Sequence, residues 1–502
     1  MAPRRHAALA SALILALIGR RAAAQTTNSS VENSVVKVFS TVLPPDPYRP
    51  WSKQAPTEVT GSGVVIEGRR ILTNAHVVLY ASQIQVQANQ AGDKVSATVE
   101  TIGPDMDLAV LKLEDQAFFD SHPPLPRTST LPEVKETVLA YGFPLGGDTL
   151  SITRGIVSRI EFANYGRFVG GLRVQIDAAI NAGNSGGPAM VGDRMIGLAF
   201  SHLGKADNIG YIIPTEEVDL FLRDVADGRY DGKPIMLGTL QTLENDALRA
   251  FLKLDKTMEG IVVHQVESDD PAYPLKEWDL ITRIGDTRVD DQGMIPLGPN
   301  LRVSFRYRVQ QLAKNGKVPL TVVRGAREVQ VELPVSPSAP VLIPDLQGAY
   351  PSYFVYGPVV FSDATGQFLA GFASSGANMT SMGIMTGPLF KRVLDKPAFE
   401  GERLVVISSP LFPHRLSKGY GNPISRVVKA INGVRIRNLT HLVEVLRDTQ
   451  AEFITIEVDG RGGESLVFRR SEVLAATDEI LTNNGVRHQG SPDALAAWER
   501  RP

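Results

Sequence analysis

Short apolar runs broken by turn residues fill the first 214 positions of the chain. Val31–Ser40 reads as a first strand, Arg70–Thr73 as an apolar strand ending in a polar turn, and Leu108–Leu113 as another. Strands with turn punctuation at this short spacing continue to Ile213, the pattern of a pair of all-β barrels. At Thr215 the period changes. Val218, Phe221, Leu222 and Val225 share a helical face behind Glu216 and Glu217, predicting a helix over 215–225 with Thr215 as its cap.

Beyond Gly232-Lys233-Pro234 the chain repeats itself. Gly260–Val263 leads into Asp279–Val289, and a related pattern returns as Arg426–Ile436. Each is an apolar strand, a tight turn and a second short strand, so two copies of one module are expected. A helix over Asn438–Arg447 follows the second copy, with Leu439, Leu442, Val443 and Leu446 on one face. Pro334, Pro337, Pro340 and Pro344 make a semi-rigid connector between the copies. The Gly-, Ser- and Met-rich stretch 363–386 carries no readable pattern, and residues after about 471 read as a polar, mobile tail.

With 502 residues, two to four domains are expected. At 43% hydrophobic and 21% charged, the composition is that of an ordinary soluble globular protein. A net charge of −2 supplies no basic field for nucleic acid or anionic lipid. The chain has no cysteine, hence no disulfides. Arg4 and Arg5 precede the apolar run Ala7–Ile18, and Ala22-Ala23-Ala24 offers a cleavage site, the build of a secretory signal over 1–24. That run is too short for an ordinary membrane span, so no stable span is expected after its removal. Export, as to a periplasm, is the reading taken; Arg20, Arg21 and the lack of any acid before Glu32 keep an organellar transit peptide as the alternative.

The chemistry concentrates in Ile180-Asn181-Ala182-Gly183-Asn184-Ser185-Gly186-Gly187-Pro188. A serine hydroxyl needs an adjacent base to attack a carbonyl, and imidazole suits that task near neutral pH. His76 closes the strand 70–73, and Asp107 opens the strand 108–113. The order His, Asp, Ser is that of one serine-peptidase template. In this reading His76 is the general base, Asp107 fixes its tautomer, Ser185 is the nucleophile, and the N–H groups of Gly183 and Ser185 form the oxyanion hole. A lone G-x-S-x-G string is often only a turn, and it also fits the nucleophile elbow of α/β-hydrolases. That elbow needs its acid and histidine after the serine. His202, His264, His414, His441 and His488 do follow, but none carries a supporting signature.

Thr73-Asn74-Ala75-His76-Val77, Asp107-Leu108-Ala109-Val110-Leu111-Lys112 and Asp177–Pro188 resemble the three signature blocks of Deg/HtrA serine proteases. Tyr141–Pro144, Ser151–Ser158 and Asn208–Pro214 resemble further family segments, so the likeness spans roughly 31–225. The resemblance implies a mainly β chain: a chymotrypsin-like double β-barrel over 31–228, a PDZ domain over 235–335, a Pro-rich linker over 336–345 and a PDZ-like α+β domain over 346–470. It also implies trimers or multiples of trimers, with Tyr48 and Trp51 as candidates for packing the trimer. Asn184 stands where zymogen-activated relatives carry an aspartate, so switching by an ion pair to a cut N-terminus is not expected. Leu237-Gly238-Thr239-Leu240 is a fair carboxylate-capturing loop in the first module. In its counterpart Tyr356–Phe361, Pro358 removes a backbone donor, which points to a structural role for the second module.

The function expected is an ATP-independent serine endopeptidase acting on unfolded or damaged protein in quality control, with no nucleotide fingerprint, cofactor or metal. Its alternative is a chaperone or peptide-binding scaffold with little proteolysis. Leu198-Ala199-Phe200 should flank the substrate pocket without a charge, and Ala179 lies near the pocket base where trypsin-like enzymes hold an acid. Small or medium apolar side chains are therefore expected before the cut, with Asp177 in a structural role.

Overall fold

The computed structural model describes residues 31–500 except 146, 148, 166–168, 201–209, 375–386 and 461–462. The expected leader over 1–24 lies outside the described residues. Two compact units result. One joins the chain up to Val42 with Glu58–Ala339, the other joins Leu43–Thr57 with Pro340–Pro502.

In the first unit, β1 (Val35–Val42), β2 (Thr57–Ile66), β3 (Arg70–Thr73), β4 (Ala81–Ala88), β5 (Val95–Gly103) and β6 (Leu108–Leu113) close into a barrel ordered β1-β2-β3-β6-β5-β4. A single turn of helix, α1 (Ala75–Val78), follows β3. Then β7 (Thr137–Gly142), β8 (Ser151–Asn164), β9 (Gly170–Ile176), β10 (Pro188–Val191), β11 (Arg194–Phe200) and β12 (Gly210–Pro214) close a second barrel. Read from β7, its order β7-β8-β9-β12-β11-β10 repeats the connectivity of the first. Closure leaves no unpaired edge on either barrel.

The period-two alternation of the strands sorts the first barrel's side chains into two cores. Val36, Val38, Ile71, Val86 and Leu111 fill its interior. Val35, Val64, Leu72 and Val110 face the other way and pack with Tyr141, Phe143, Leu198 and Ile213 of the second barrel. This seam between barrels is where the candidate chemistry sits.

Helix α2 (Thr215–Asp224) follows β12 as expected, but Thr215 does not cap it. Pro214 holds the cap position, and the Thr215 hydroxyl donates to the carbonyls of Thr128 and Ile196. The middle module is a sheet of β13 (Thr239–Gln241), β14 (Ile261–Gln265), β15 (Leu280–Ile284), β16 (Thr287–Arg288), β19 (Lys317–Arg324) and β20 (Arg327–Pro334). The ribbon β17 (Met294–Pro296) and β18 (Arg302–Ser304), then helix α3 (Arg306–Leu312), lie between β16 and β19. Its core runs continuously into the second barrel, joining Val318, Leu320 and Phe305 to Val174 and Ile212.

The second unit has β21 (Tyr353–Tyr356), β22 (Val359–Asp363) and β23 (Val405–Ile407) in one sheet, and β24 (Val428–Ile431), β25 (Val434–Arg435), β26 (Phe453–Val458) and β27 (Leu466–Arg469) in another. Helix α4 (Leu439–Asp448) begins at Asn438, whose side chain accepts the His441 N–H. Ile284 pairs with Thr287 and Ile431 with Val434 across tight turns; the first hairpin is followed by the ribbon β17–β18, α3, β19 and β20, the second by α4, β26 and the short β27.

The expected polar tail is instead helical. Helices α5 (Arg470–Asn483) and α6 (Pro492–Glu499) bury Val473, Ala476, Ile480, Ala494 and Ala497, and the Trp498 ring packs at a tilt 5.1 Å from Phe354. Its apolar residues are small and widely spaced, so the short stripe is lost among charges. The strap Leu43–Thr57, which connects β1 to β2, also folds into this unit. Tyr48 meets Phe368 edge-on at 5.7 Å, Trp51 meets Phe412 at 5.3 Å, and Tyr350 donates to the Leu43 carbonyl. The two aromatics expected to pack a trimer are thus engaged within their own chain.

Candidate active site

One turn of helix delivers the histidine. Asn74 leaves β3 in extended conformation, α1 starts, and the His76 ring comes against Asp107. His76 Nδ1 lies 2.8 Å from Asp107 Oδ2 and 3.0 Å from Oδ1, and the His76 backbone N–H donates to Oδ1 at 2.9 Å. A carboxylate against Nδ1 favours the tautomer with its proton there, leaving Nε2 free to accept one. Asp107 achieves this with a φ of 57°, a left-handed conformation that aspartate tolerates better than most residues. The fully buried Asn74 donates from Nδ2 to the Asp107 carbonyl at 2.9 Å, pinning that turn.

Ser185 is 3% exposed on a loop sewn down by backbone bonds. Asn184 N–H donates to Asn181, Gly187 N–H to Asn184, and Gly186 N–H and Ala199 N–H cross-link the loop to β11. The Leu145 N–H donates to the Ala182 carbonyl at 2.9 Å. A trans peptide points its C=O and N–H in opposite directions, so the Gly183 N–H faces away from Leu145. Gly183 has a φ of 98°, and a Cβ there would strike the Phe143 carbonyl and come within 2.8 Å of the Leu145 nitrogen. Gly186, at φ 88°, would strike the Ser62 carbonyl. The glycines around the serine are required by space as well as by backbone conformation.

The two halves converge at Gly61. A Cβ placed there would lie 2.8 Å from Val77 Cγ1 and 3.2 Å from the Ser185 carbonyl, so the residue after His76 and the serine loop are one side chain apart. The Phe200 ring sits 6.3 Å from the His76 ring. Leu198, Ala199 and Phe200 are buried and uncharged on β11. Asp177 Oδ1 accepts the Ile156 N–H at 2.6 Å, tying its loop to β8. No group of three or more metal-ligating side chains occurs among the described residues.

The same unit holds a buried ionic knot that the sequence did not announce. Lys233 Nζ meets Glu217 Oε2 at 2.7 Å, while Glu217 Oε1 accepts the Leu172 N–H at 2.8 Å and Gln310 Nε2 at 3.1 Å. Burial alone would raise the Glu217 pKa, but Lys233 and Arg173 together with these bonds hold it below the usual carboxylate value. Glu217 therefore links α2 to β9 and to α3 of the middle module.

The two glycine-apolar loops differ in what lies beside them. Leu237 and Gly238 lead into β13, which ends the sheet order and pairs with β14. The counterpart strand β22 is paired on both sides, by β21 across the tight turn Tyr356-Gly357-Pro358-Val359 and by β23.

Twin six-stranded barrels, with an aspartate-held histidine and a buried, glycine-flanked serine at their seam, are the fold of a trypsin-like peptidase. The model of the trypsin-like peptidase domain matches residues 61–198, and that of a PDZ domain matches 344–493. The chain is 34% identical over 481 residues to "Protease Do-like 2, chloroplastic" of Arabidopsis thaliana, covering 95% of this chain and 77% of that protein. It is 33% identical to "Protease Do-like 4, mitochondrial" of the same plant, covering 92% of this chain and 86% of that protein. Among solved structures, the HtrA-type protease AlgW with tripeptide is 25% identical with a TM-score of 0.49, over 62% of this chain and 97% of that one. The chain belongs to the Deg/HtrA family of serine proteases and is a serine endopeptidase.

Proposed function

We propose that this endopeptidase cleaves unfolded or damaged protein without ATP, through Ser185 as nucleophile, His76 as general base and then acid, and Asp107 as the group that orients His76. The observation that supports this best is the doubly accepting Asp107 carboxylate, which holds both the ring and the backbone of His76. Attack by Ser185 forms the acyl-enzyme as its proton passes to His76 and then to the leaving amine; water reverses these roles. The Gly183 and Ser185 N–H groups bind the oxyanion. The uncharged strand Leu198-Ala199-Phe200 and Ala179 favour small or medium apolar side chains before the cut.

Residues 235–335 act as a first PDZ domain that captures peptide ends at Leu237-Gly238-Thr239-Leu240, where β13 can accept an added strand. The module after 340 is structural, and assembly is by trimers or multiples of them. The chloroplast and mitochondrial names of the relatives, with an Arg-bearing leader free of acids before Glu32, favour organellar import over a periplasm.

Unfolded casein with the intact chain and with Ser185→Ala tests the reading. The variant should lose at least 10³-fold in turnover, the scale on which triad members act. Undiminished cleavage by the alanine variant, or a majority of cuts after Lys or Arg by mass spectrometry, counts against the respective assignment.

A further inference from the structure

Ser62 stands on β2 of the first barrel, is fully buried, and uses every polar group it has. Its hydroxyl donates to the Gly183 carbonyl at 2.8 Å and accepts the Phe143 N–H at 2.8 Å. Its backbone N–H donates to the Ser185 carbonyl at 2.8 Å, and its carbonyl accepts from the Thr73 hydroxyl at 2.7 Å. Thr73 in turn lies three residues before His76. One residue thus touches the loop at Phe143 and Gly183 through its hydroxyl, and Ser185 and the strand that leads to the base through its backbone.

The consequence for Gly183 is geometric. Its N–H lies in the peptide plane before it, fixed by the Leu145 N–H to the Ala182 carbonyl, and joins at Gly183 a second plane whose N–H is held inside the loop by the Asn181 carbonyl and whose carbonyl is held from the first barrel by the Ser62 hydroxyl. Gly183 has a φ of 98° and no Cβ to restrict rotation, so the loop cannot hold this plane by local sterics. An oxyanion donor is useful only when preorganised, and a displacement of about 1 Å can cost about 100-fold in rate.

We propose that Ser62 is a positioning residue for the peptidase reaction, a clamp from the first barrel that holds the oxyanion loop of the second in its productive form. The proposal rests on the reading of Ser185 and Gly183 given above. Ser62→Ala removes the hydroxyl while leaving both backbone bonds in place. The expected result is a fall in kcat of roughly 10- to 100-fold with KM within about threefold, because substrate binding in the ground state does not use the oxyanion donors. Affinity for a peptide boronate, which mimics the tetrahedral state, should fall by the same factor as kcat.

The near-isosteric Ser62→Cys, a far weaker hydrogen-bonding group, should show the same split and carries the test if the alanine variant folds poorly. An unchanged kcat, or equal losses in KM and boronate affinity, overturns the proposal, as does failure of both variants to fold, which would make Ser62 a folding residue alone. Ser185→Ala runs beside them. If it remains active the catalytic reading itself fails, whereas a dead Ser185→Ala beside a fully active Ser62→Ala sinks only the clamp.

Discussion

Asp107 occupies a left-handed turn at φ 57°, and its hold on the His76 ring and backbone depends on that turn being kept. Asn74 does so by a single side-chain bond to the Asp107 carbonyl. Asn74→Ala should therefore lower kcat/KM by about 10- to 100-fold through misplacement of the acid, and add nothing further in an Asp107→Asn background, since the two act as a unit. Steady-state kinetics on a short peptide decide it, and additive losses would show that Asn74 acts elsewhere. At this scale the sequence was informative about chemistry and silent about support. Ser185, His76 and Asp107 stand out because each sits in a signature string rather than because of its residue type alone. Asn74 and Ser62 are ordinary polar residues whose importance comes from which carbonyl they meet, and that partner is set by folding two distant strands together.

The barrel strands and α2 of the first unit were legible in outline because their faces differ in polarity, whereas α3 was not read and the first strand begins at Val35 rather than Val31. The C-terminal helices were not legible, because α5 and α6 bury mostly alanines and single aliphatics between charges. The N-terminus of α4 offers a test of packing against charge. Asp363 Oδ1 accepts the Leu439 N–H at 3.2 Å there, yet burial pushes its carboxyl up to about 6. The native state then binds this proton more tightly than the unfolded chain, whose carboxyl titrates near 4. Its contribution is complete below about pH 4 and is lost as pH rises through about 6, by about 3 kcal/mol. Asp363→Asn should flatten the stability of the second unit between pH 4 and 7. Urea unfolding followed by Trp51 and Trp498 in a Trp278→Phe background reads it, and an unaltered pH slope would refute the burial argument.

For the whole molecule, the strap Leu43–Thr57 changes how a truncation should behave. Removing residues after 340 takes away Phe368 and Phe412 and leaves Tyr48 and Trp51 without their partners. Such a chain should bind the dye ANS and aggregate, while the same truncation with 43–57 replaced by a short Gly-Ser turn should stay soluble and still cut casein. Mass photometry and casein turnover on both follow the outcome; a well-behaved truncation with the strap intact would mean the strap can fold without the second unit. The strap also sets a schedule for synthesis. The Ser409 hydroxyl that donates to the Tyr48 carbonyl is encoded 361 residues later. At about 5–20 residues per second the ribosome delivers it roughly 20–70 s after Tyr48. The first barrel is thus translated with one of its loops still waiting, so a nascent chain must keep two aromatic rings shielded until its last third has emerged.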